Sequence, residues 1–136
     1  MINTKLTRKA MIIAYEAHKN QVDKSGVPYI YHPIHVAEQM DTENECIIAL
    51  LHDVVEDTNV TFKQLEEVFS KEIIDILKLL TREENIEYDE YIKRIKNNSI
   101  ACKVKIADLT HNLDKTRLDF VTEVDVKRNE KYKKAL

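Results

Sequence analysis

One glycine and two prolines in 136 residues leave this chain almost nowhere to turn sharply, and Gly26, Pro28 and Pro33 all fall in one short segment. Antiparallel sheets need turn formers every ~8–12 residues, whereas helices run long distances without them. The rest of the chain is rich in Lys, Glu, Ile and Leu, which favour helix, so the fold class is all-α. Hydrophobic residues at 43% and charged residues at 33% describe a globular chain and exclude an extended disordered one. A length of 136 residues suits a single domain, 1–136, built on one core. The expectation is a compact bundle of about seven or eight helices.

Apolar spacing places those helices. Thr4 or Thr7 caps a first helix reaching about residue 21, with Ala10, Ile13, Ala14 and Ala17 inward. A loop over 23–31 holds Gly26 and Pro28 and ends at His32-Pro33. Proline suits the first helical position and pushes the residue before it towards an extended conformation, so His32 is expected at the entrance of a second helix over 33–40. A third helix is expected from residue 43 to 55 or 56. Thr61 and Gln64 form a capping box that opens a short fourth helix to residue 69. Ile73, Ile74, Ile76, Leu77 and Leu80 mark a buried fifth. Helices over 88–97, from Ser99 through Leu113, and from about Val124 complete the chain.

The net charge of −3 argues against a nucleic-acid binder. Lys127, Arg128, Lys131, Lys133 and Lys134 read as a solvated helix face. Cys46 and Cys102 lack CxxC spacing and sit in apolar surroundings, which points to reduced thiols. No apolar stretch approaches the ~20 residues that span a bilayer, and the N-terminus has no secretory core, so no membrane partner and a cytoplasmic location are expected. A helical domain of this size can carry an apolar dimer face, which leaves a homo-oligomer open.

The chemistry concentrates in His52-Asp53-Val54-Val55-Glu56-Asp57, which follows the apolar run Ile47-Ile48-Ala49-Leu50-Leu51. Burying that polarity beside hydrocarbon costs several kcal/mol without compensation, and a divalent cation is the natural compensation. On a continuous helix His52 and Asp53 diverge by about 100°, so they can share an ion only over the helix edge. His32 offers a third ligand, and Asp108, interrupting Val104-Lys105-Ile106-Ala107, a fourth. Two imidazoles and two carboxylates suit Mn²⁺, Fe²⁺ or Zn²⁺, with a position left for water or a phosphoryl oxygen. Glu56 lies one turn after His52 on the same face, and Asp57 can swing in if the helix ends there. They form an acid–base pair whose division of roles the spacing leaves open.

Three blocks together, Tyr29-Ile30-Tyr31-His32-Pro33, Ala49-Leu50-Leu51-His52-Asp53-Val54-Val55-Glu56-Asp57-Thr58 and Val104-Lys105-Ile106-Ala107-Asp108 with Asn112, resemble the HD-domain metal-dependent phosphohydrolases. More narrowly, they resemble the small stand-alone (p)ppGpp hydrolases among the RelA/SpoT homologues. The resemblance runs over about residues 10–118. It implies an all-helical HD-domain bundle, Mn²⁺ as cofactor, a small phosphorylated nucleotide as partner, and hydrolytic release of pyrophosphate from the 3′ position of the guanosine alarmone. It implies that His32, His52, Asp53 and Asp108 are the metal ligands, that Glu56 and Asp57 handle water and substrate, and that Lys24 and Asn112 contact the nucleotide. The chain departs from the family at Asp23 and Asp114, where arginines are usual; a carboxylate there removes a bidentate phosphate clamp and adds repulsion. Hydrolysis of another phosphorylated nucleotide or metabolite, and a non-catalytic nucleotide sensor, are the alternatives. Of the remaining candidates, His18, His35 and His111 read as core-edge or surface residues, Tyr88 and Tyr91 as helix packing, and Lys105 as a residue away from the phosphates.

Overall fold

Local hydrogen bonding explains where the helices of this computed structural model begin; it describes residues 1–114 and 123–136. Thr4 accepts from the Thr7 amide while Thr7 Oγ1 accepts from the Thr4 amide at 2.7 Å, closing a capping box on α1 (Lys5–His18). Thr42 caps α3 (Glu43–Leu51), Ser70 caps α6 (Lys71–Leu80) and Asn98 caps α8 (Ser99–Asn112). The expected Thr61–Gln64 capping box opens α5 (Phe62–Glu66). With α2 (Tyr31–Glu38), α4 (Val54–Asp57), α7 (Tyr88–Lys96) and α9 (Glu123–Ala135), the described residues hold nine helices and no strand.

The all-α expectation holds, and most boundaries fall within two residues of those anticipated. The helix opened by Thr61 ends at Glu66 rather than at residue 69, and three others differ for physical reasons. The first helix stops at His18 rather than near residue 21, because the Gln21 amide turns back to the His18 carbonyl and the segment enters the loop. The second begins at Tyr31, so His32 is helical and Pro33 sits inside the first turn. That turn's amides have no intrahelical partner, so the missing N–H is harmless there. The expected third helix is two: it breaks at His52 and Asp53, separating α3 from α4. That break supplies the ninth helix.

Helix α3 is the axis of the fold. Cys46, Ile47, Ile48, Ala49, Leu50 and Leu51 are all buried, which requires neighbours on every side. It packs against α1, α2, α6 and α8. Ala10 and Ala14 let α1 approach closely, and Ile73, Ile74, Ile76, Leu77 and Leu80 form the inward stripe of α6. The one obligatory glycine closes the loop: Val22 bridges Pro28, and Gly26 sits at φ +81°, the left-handed region that favours glycine. Both cysteines are free thiols, Cys46 buried and Cys102 half-buried. Among the described residues no helix is long and apolar enough to cross a membrane.

Because α3 is enclosed on all faces, Leu50→Ala is expected to lower unfolding free energy by about 2–5 kcal/mol in urea titration. Ile12→Ala, on the exposed face of α1, is expected to stay within about 0.5 kcal/mol of the parent.

Candidate metal centre

Four side chains from three directions converge beside the C-terminal end of α3. His52 is its C-cap, Asp53 follows, His32 comes from the first turn of α2, and Asp108 from the penultimate turn of α8. His32, His52 and Asp108 are buried and Asp53 is half-buried. His52 Nε2 lies 3.0 Å from Asp53 Oδ2 and 3.6 Å from Asp108 Oδ1. His32 Nε2 lies 2.8 Å from Asp108 Oδ1 and 3.9 Å from Asp53 Oδ2. One ligand atom from each of the four lies within 4.8 Å of all the others, the spacing of donors around a common ion.

The helix break makes this possible. Asp53 adopts φ −106°, ψ −2°, off the helical path, so its carboxylate swings onto the side of its neighbour's imidazole instead of diverging from it. His52 Nδ1 meets the Ala49 carbonyl at 2.6 Å. A carbonyl only accepts, so Nδ1 carries the hydrogen and Nε2 is the nitrogen that faces the cluster. That Nε2 is buried, and its nearest polar neighbours are the carboxylate oxygens of Asp53 and Asp108, neither aligned as a hydrogen-bond partner, so imidazole nitrogen and carboxylates converge on one point as donors to a cation do. The donor set therefore fits a divalent first-row ion; nothing in it selects among them.

A surrounding layer holds these four in place. The Tyr29 hydroxyl donates to Asp53 Oδ2. His32 Nδ1 meets His111 Nδ1 at 2.7 Å, and His111 stacks on His35 with centroids 4.0 Å apart. Lys105 Nζ lies 2.9 Å from Asp108 Oδ2, and Asn112 Nδ2 donates to Asp108 Oδ1 at 3.3 Å. His18 Nδ1 meets Gln21 Oε1 at 2.8 Å, and Gln21 Nε2 donates to the Asp57 carbonyl at 2.8 Å, tying the end of α4 to the end of α1. Such outer partners orient ligands.

The titration behaviour follows. Burial raises the Asp53 carboxyl, but the adjacent His52 outweighs it and holds Asp53 at about 2. Burial likewise opposes ionisation of Asp108, yet Lys105 and His32 keep it well below the usual carboxylate range. Burial alone would discharge His52, while Asp53 and Asp108 push it well above its ordinary value. Without an ion, protons thus serve as the cluster's counter-charge.

Glu56 and Asp57 lie one turn on, exposed, and form a second carboxylate group with Asp53. Glu56 Oε1 accepts from the Arg82 amide at 2.8 Å. Burial, then the Asp53 and Glu56 charges, raise Asp57 from 3.8 to about 6. Beside the cluster opens a cavity of about 510 Å³, lined among others by Asp23, Lys24, Tyr29, Arg82, Tyr88, Lys105 and Asn112, with Asp125 and Arg128 of α9 closing it. Lys24 reaches Asp125 at 3.4 Å, and its side chain is 69% exposed.

The structure brings His32, His52, Asp53 and Asp108 together, sets Glu56 and Asp57 beside them, and places Lys24 and Asn112 in the cavity wall. Asp23 also lines it, but its Oδ1 is turned back to accept from the Ser25 and Val27 amides at 2.8 and 3.0 Å. Asp114, exposed at the end of α8, is not among the described lining residues. Three expectations need correction: His18 is fully buried beside Tyr29, His111 backs a cluster imidazole, and Lys105 lines the cavity against Asp108. The basic residues of α9 are exposed as expected, and Arg128 among them also lines the cavity. Tyr91 packs as expected, its hydroxyl donating to the Leu80 carbonyl at 2.7 Å, whereas Tyr88 lines the cavity. Tyr29 lay within a motif and could have been found; Arg82 had no signal in the sequence.

The HD-domain family matches residues 10–115, most of the chain and all four clustered side chains. This protein is a member of the HD-domain family. It is 35% identical over 124 residues to the zebrafish guanosine-3′,5′-bis(diphosphate) 3′-pyrophosphohydrolase MESH1, covering 82% of this chain and 69% of that one. It is 31% identical over 124 residues to Escherichia coli SpoT, a bifunctional (p)ppGpp synthase/hydrolase, covering 80% of this chain and 18% of that one. The HD domain thus spans about a fifth of the length of the bacterial relatives it matches. A solved structure described as a metazoan orthologue of SpoT that hydrolyses ppGpp superposes with a TM-score of 0.80 at 24% identity, covering 99% of this chain and 85% of that one. That likeness establishes the shared fold.

In the metal-free HD domain, Asp57 is expected to titrate near pH 6 by carbon-detected NMR. Asp53→Asn removes a neighbouring negative charge, eases ionisation and should move the midpoint down, leaving it above 3.8 because burial persists. A parent midpoint near 4 would contradict the geometry.

Proposed function

We propose that this HD domain is a divalent-metal-dependent phosphohydrolase that removes pyrophosphate from the 3′ position of guanosine 3′,5′-bis(diphosphate), with Mn²⁺ as the working ion. The observation that carries the reading is the quartet of His32, His52, Asp53 and Asp108, three of them buried, whose imidazole nitrogens and carboxylates converge as donors to a cation would. The names of MESH1 and the bacterial relatives support the substrate.

In this reading the quartet would hold the ion, which supplies an acidified water and a Lewis acid for a phosphoryl oxygen. Glu56 and Asp57 would divide the proton work. Asp57, raised to about 6, is matched to exchanging a proton near neutral pH. Glu56, fixed by the Arg82 amide, would orient the water. Water adds to the phosphorus next to the ribose 3′ oxygen, that P–O bond breaks, and a proton passes to the departing 3′ oxygen, giving GDP and pyrophosphate. Lys24 and Asn112 would contact the nucleotide from the cavity wall. The cytoplasm, where nucleotides are abundant, suits this role.

One observation favours a second substrate class, a less heavily phosphorylated nucleotide: Asp23 stands in the wall, and Lys24 is drawn to Asp125. A product screen with the parent and Asp23→Arg separates the two, since an arginine that greatly improves a weak alarmone hydrolase indicates a different natural substrate.

Purified protein with Mn²⁺ is expected to release pyrophosphate from ppGpp, to lose this on chelation and to regain it on adding Mn²⁺. Asp53→Ala should lower kcat/KM by about a hundredfold or more. No turnover of any 3′-phosphorylated nucleotide would sink the proposal.

A further inference from the structure

Among the described residues four cations line the 510 Å³ cavity, and three are already engaged by carboxylates: Lys24 and Arg128 by Asp125 at 3.4 and 3.5 Å, and Lys105 by Asp108 at 2.9 Å. The fourth is Arg82, just past the end of α6. Among the described residues its guanidinium has neutral partners only. Nε donates to the Ile86 carbonyl at 3.1 Å, and Cζ stands 5.4 Å from the centre of the Tyr88 ring. Those contacts hold the fork on an aromatic plane and leave its two terminal nitrogens for an incoming anion.

We propose that Arg82 is the specificity-determining phosphate clamp of this protein, gripping the diphosphate of the nucleotide that is not cleaved. This rests on the proposed hydrolysis of a nucleotide phosphorylated at both ends. Three arguments carry it. First, Arg82 can take a phosphate without breaking an ion pair, whereas each of the other cations must give one up. Second, its position is tied to the reacting end: the Arg82 main-chain N–H holds Glu56 at 2.8 Å, so the clamp and that carboxylate share one anchor. Third, among the described lining residues the other guanidinium, that of Arg128, is already engaged by Asp125. The loop residue Asp23 adds no cation to the wall, its carboxylate folded onto the Ser25 and Val27 amides. The adjoining 320 Å³ space sets three carboxylates, Glu56, Glu83 and Glu84, against Arg82 and Lys105, so a phosphate is favoured less there than in the larger cavity, where cations outnumber carboxylates among the described lining residues.

The test compares Arg82→Gln and Arg82→Lys with the parent on ppGpp and on its analogue carrying a 5′ monophosphate. Arg82→Gln is expected to raise KM for ppGpp about tenfold or more while kcat falls less than threefold, and to raise KM for the analogue by clearly less. Lysine should restore only part of the loss, because it lacks the fork. Arg8→Gln, a surface arginine bonded to Asn3, should match the parent. An unchanged KM, an equal rise for both substrates, or a fall in kcat alone would overturn the assignment; the last would mean that Arg82 acts through Glu56. Should the parent turn over neither nucleotide, the proposed function fails. The clamp is then judged by calorimetric binding of ppGpp to metal-free protein, where an Arg82→Gln Kd within twofold of the parent would overturn it and a tenfold rise would sustain it.

Discussion

Two carboxylates and two imidazoles buried at the end of the most enclosed helix are the constraint on which the rest of the structure depends. Asp53 and Asp108 both touch His52 within 3.6 Å, in surroundings that penalise every charge among them. Such a group persists only if the scaffold fixes it and a positive charge answers it. The helix break at Asp53, the bond from Tyr29, the Ala49 carbonyl on His52 and the Lys105 ammonium on Asp108 are the scaffold's contributions. In the proposed function an ion completes the charge balance, replacing the protons that answer it otherwise.

The same constraint explains why stability and chemistry are neighbours here. From Cys46 to Leu51 helix α3 is buried on all sides, and it ends where polarity begins, so the His52 imidazole is carried on the most enclosed part of the core. α2 and α8, which deliver His32 and Asp108, both pack on α3. The hydrogen bond from Gln21 to the Asp57 carbonyl ties the exposed end of α4 to the end of α1. Ligand positions vary little when all donors share one core.

Much of this was legible in the sequence, and the reasons are particular. The scarcity of glycine and proline dictated helices, and Thr61 with Gln64 marked a helix start because capping is a local interaction. His52-Asp53 stood out because polarity beside five apolar residues needs compensation. The break between α3 and α4 was not legible, since Val54 and Val55 continue the apolar pattern and only the tertiary pull of Tyr29 and His52 on Asp53 shows why the path bends. His111 and Lys105 were misjudged because their roles depend on which groups face them across helices. Arg82 was invisible, since its importance lies in the ion pairs its neighbours make. Long-range electrostatics, unlike capping or periodicity, leaves no spacing to read.

The most direct test of the account is the position of the ion. Crystals grown with Mn²⁺ and measured at its absorption edge should show one anomalous peak at about 2.0–2.2 Å from His32 Nε2, His52 Nε2 and one carboxylate oxygen each of Asp53 and Asp108. A peak seated instead on the exposed Asp53, Glu56 and Asp57 carboxylates, or no peak at saturating Mn²⁺, would contradict it.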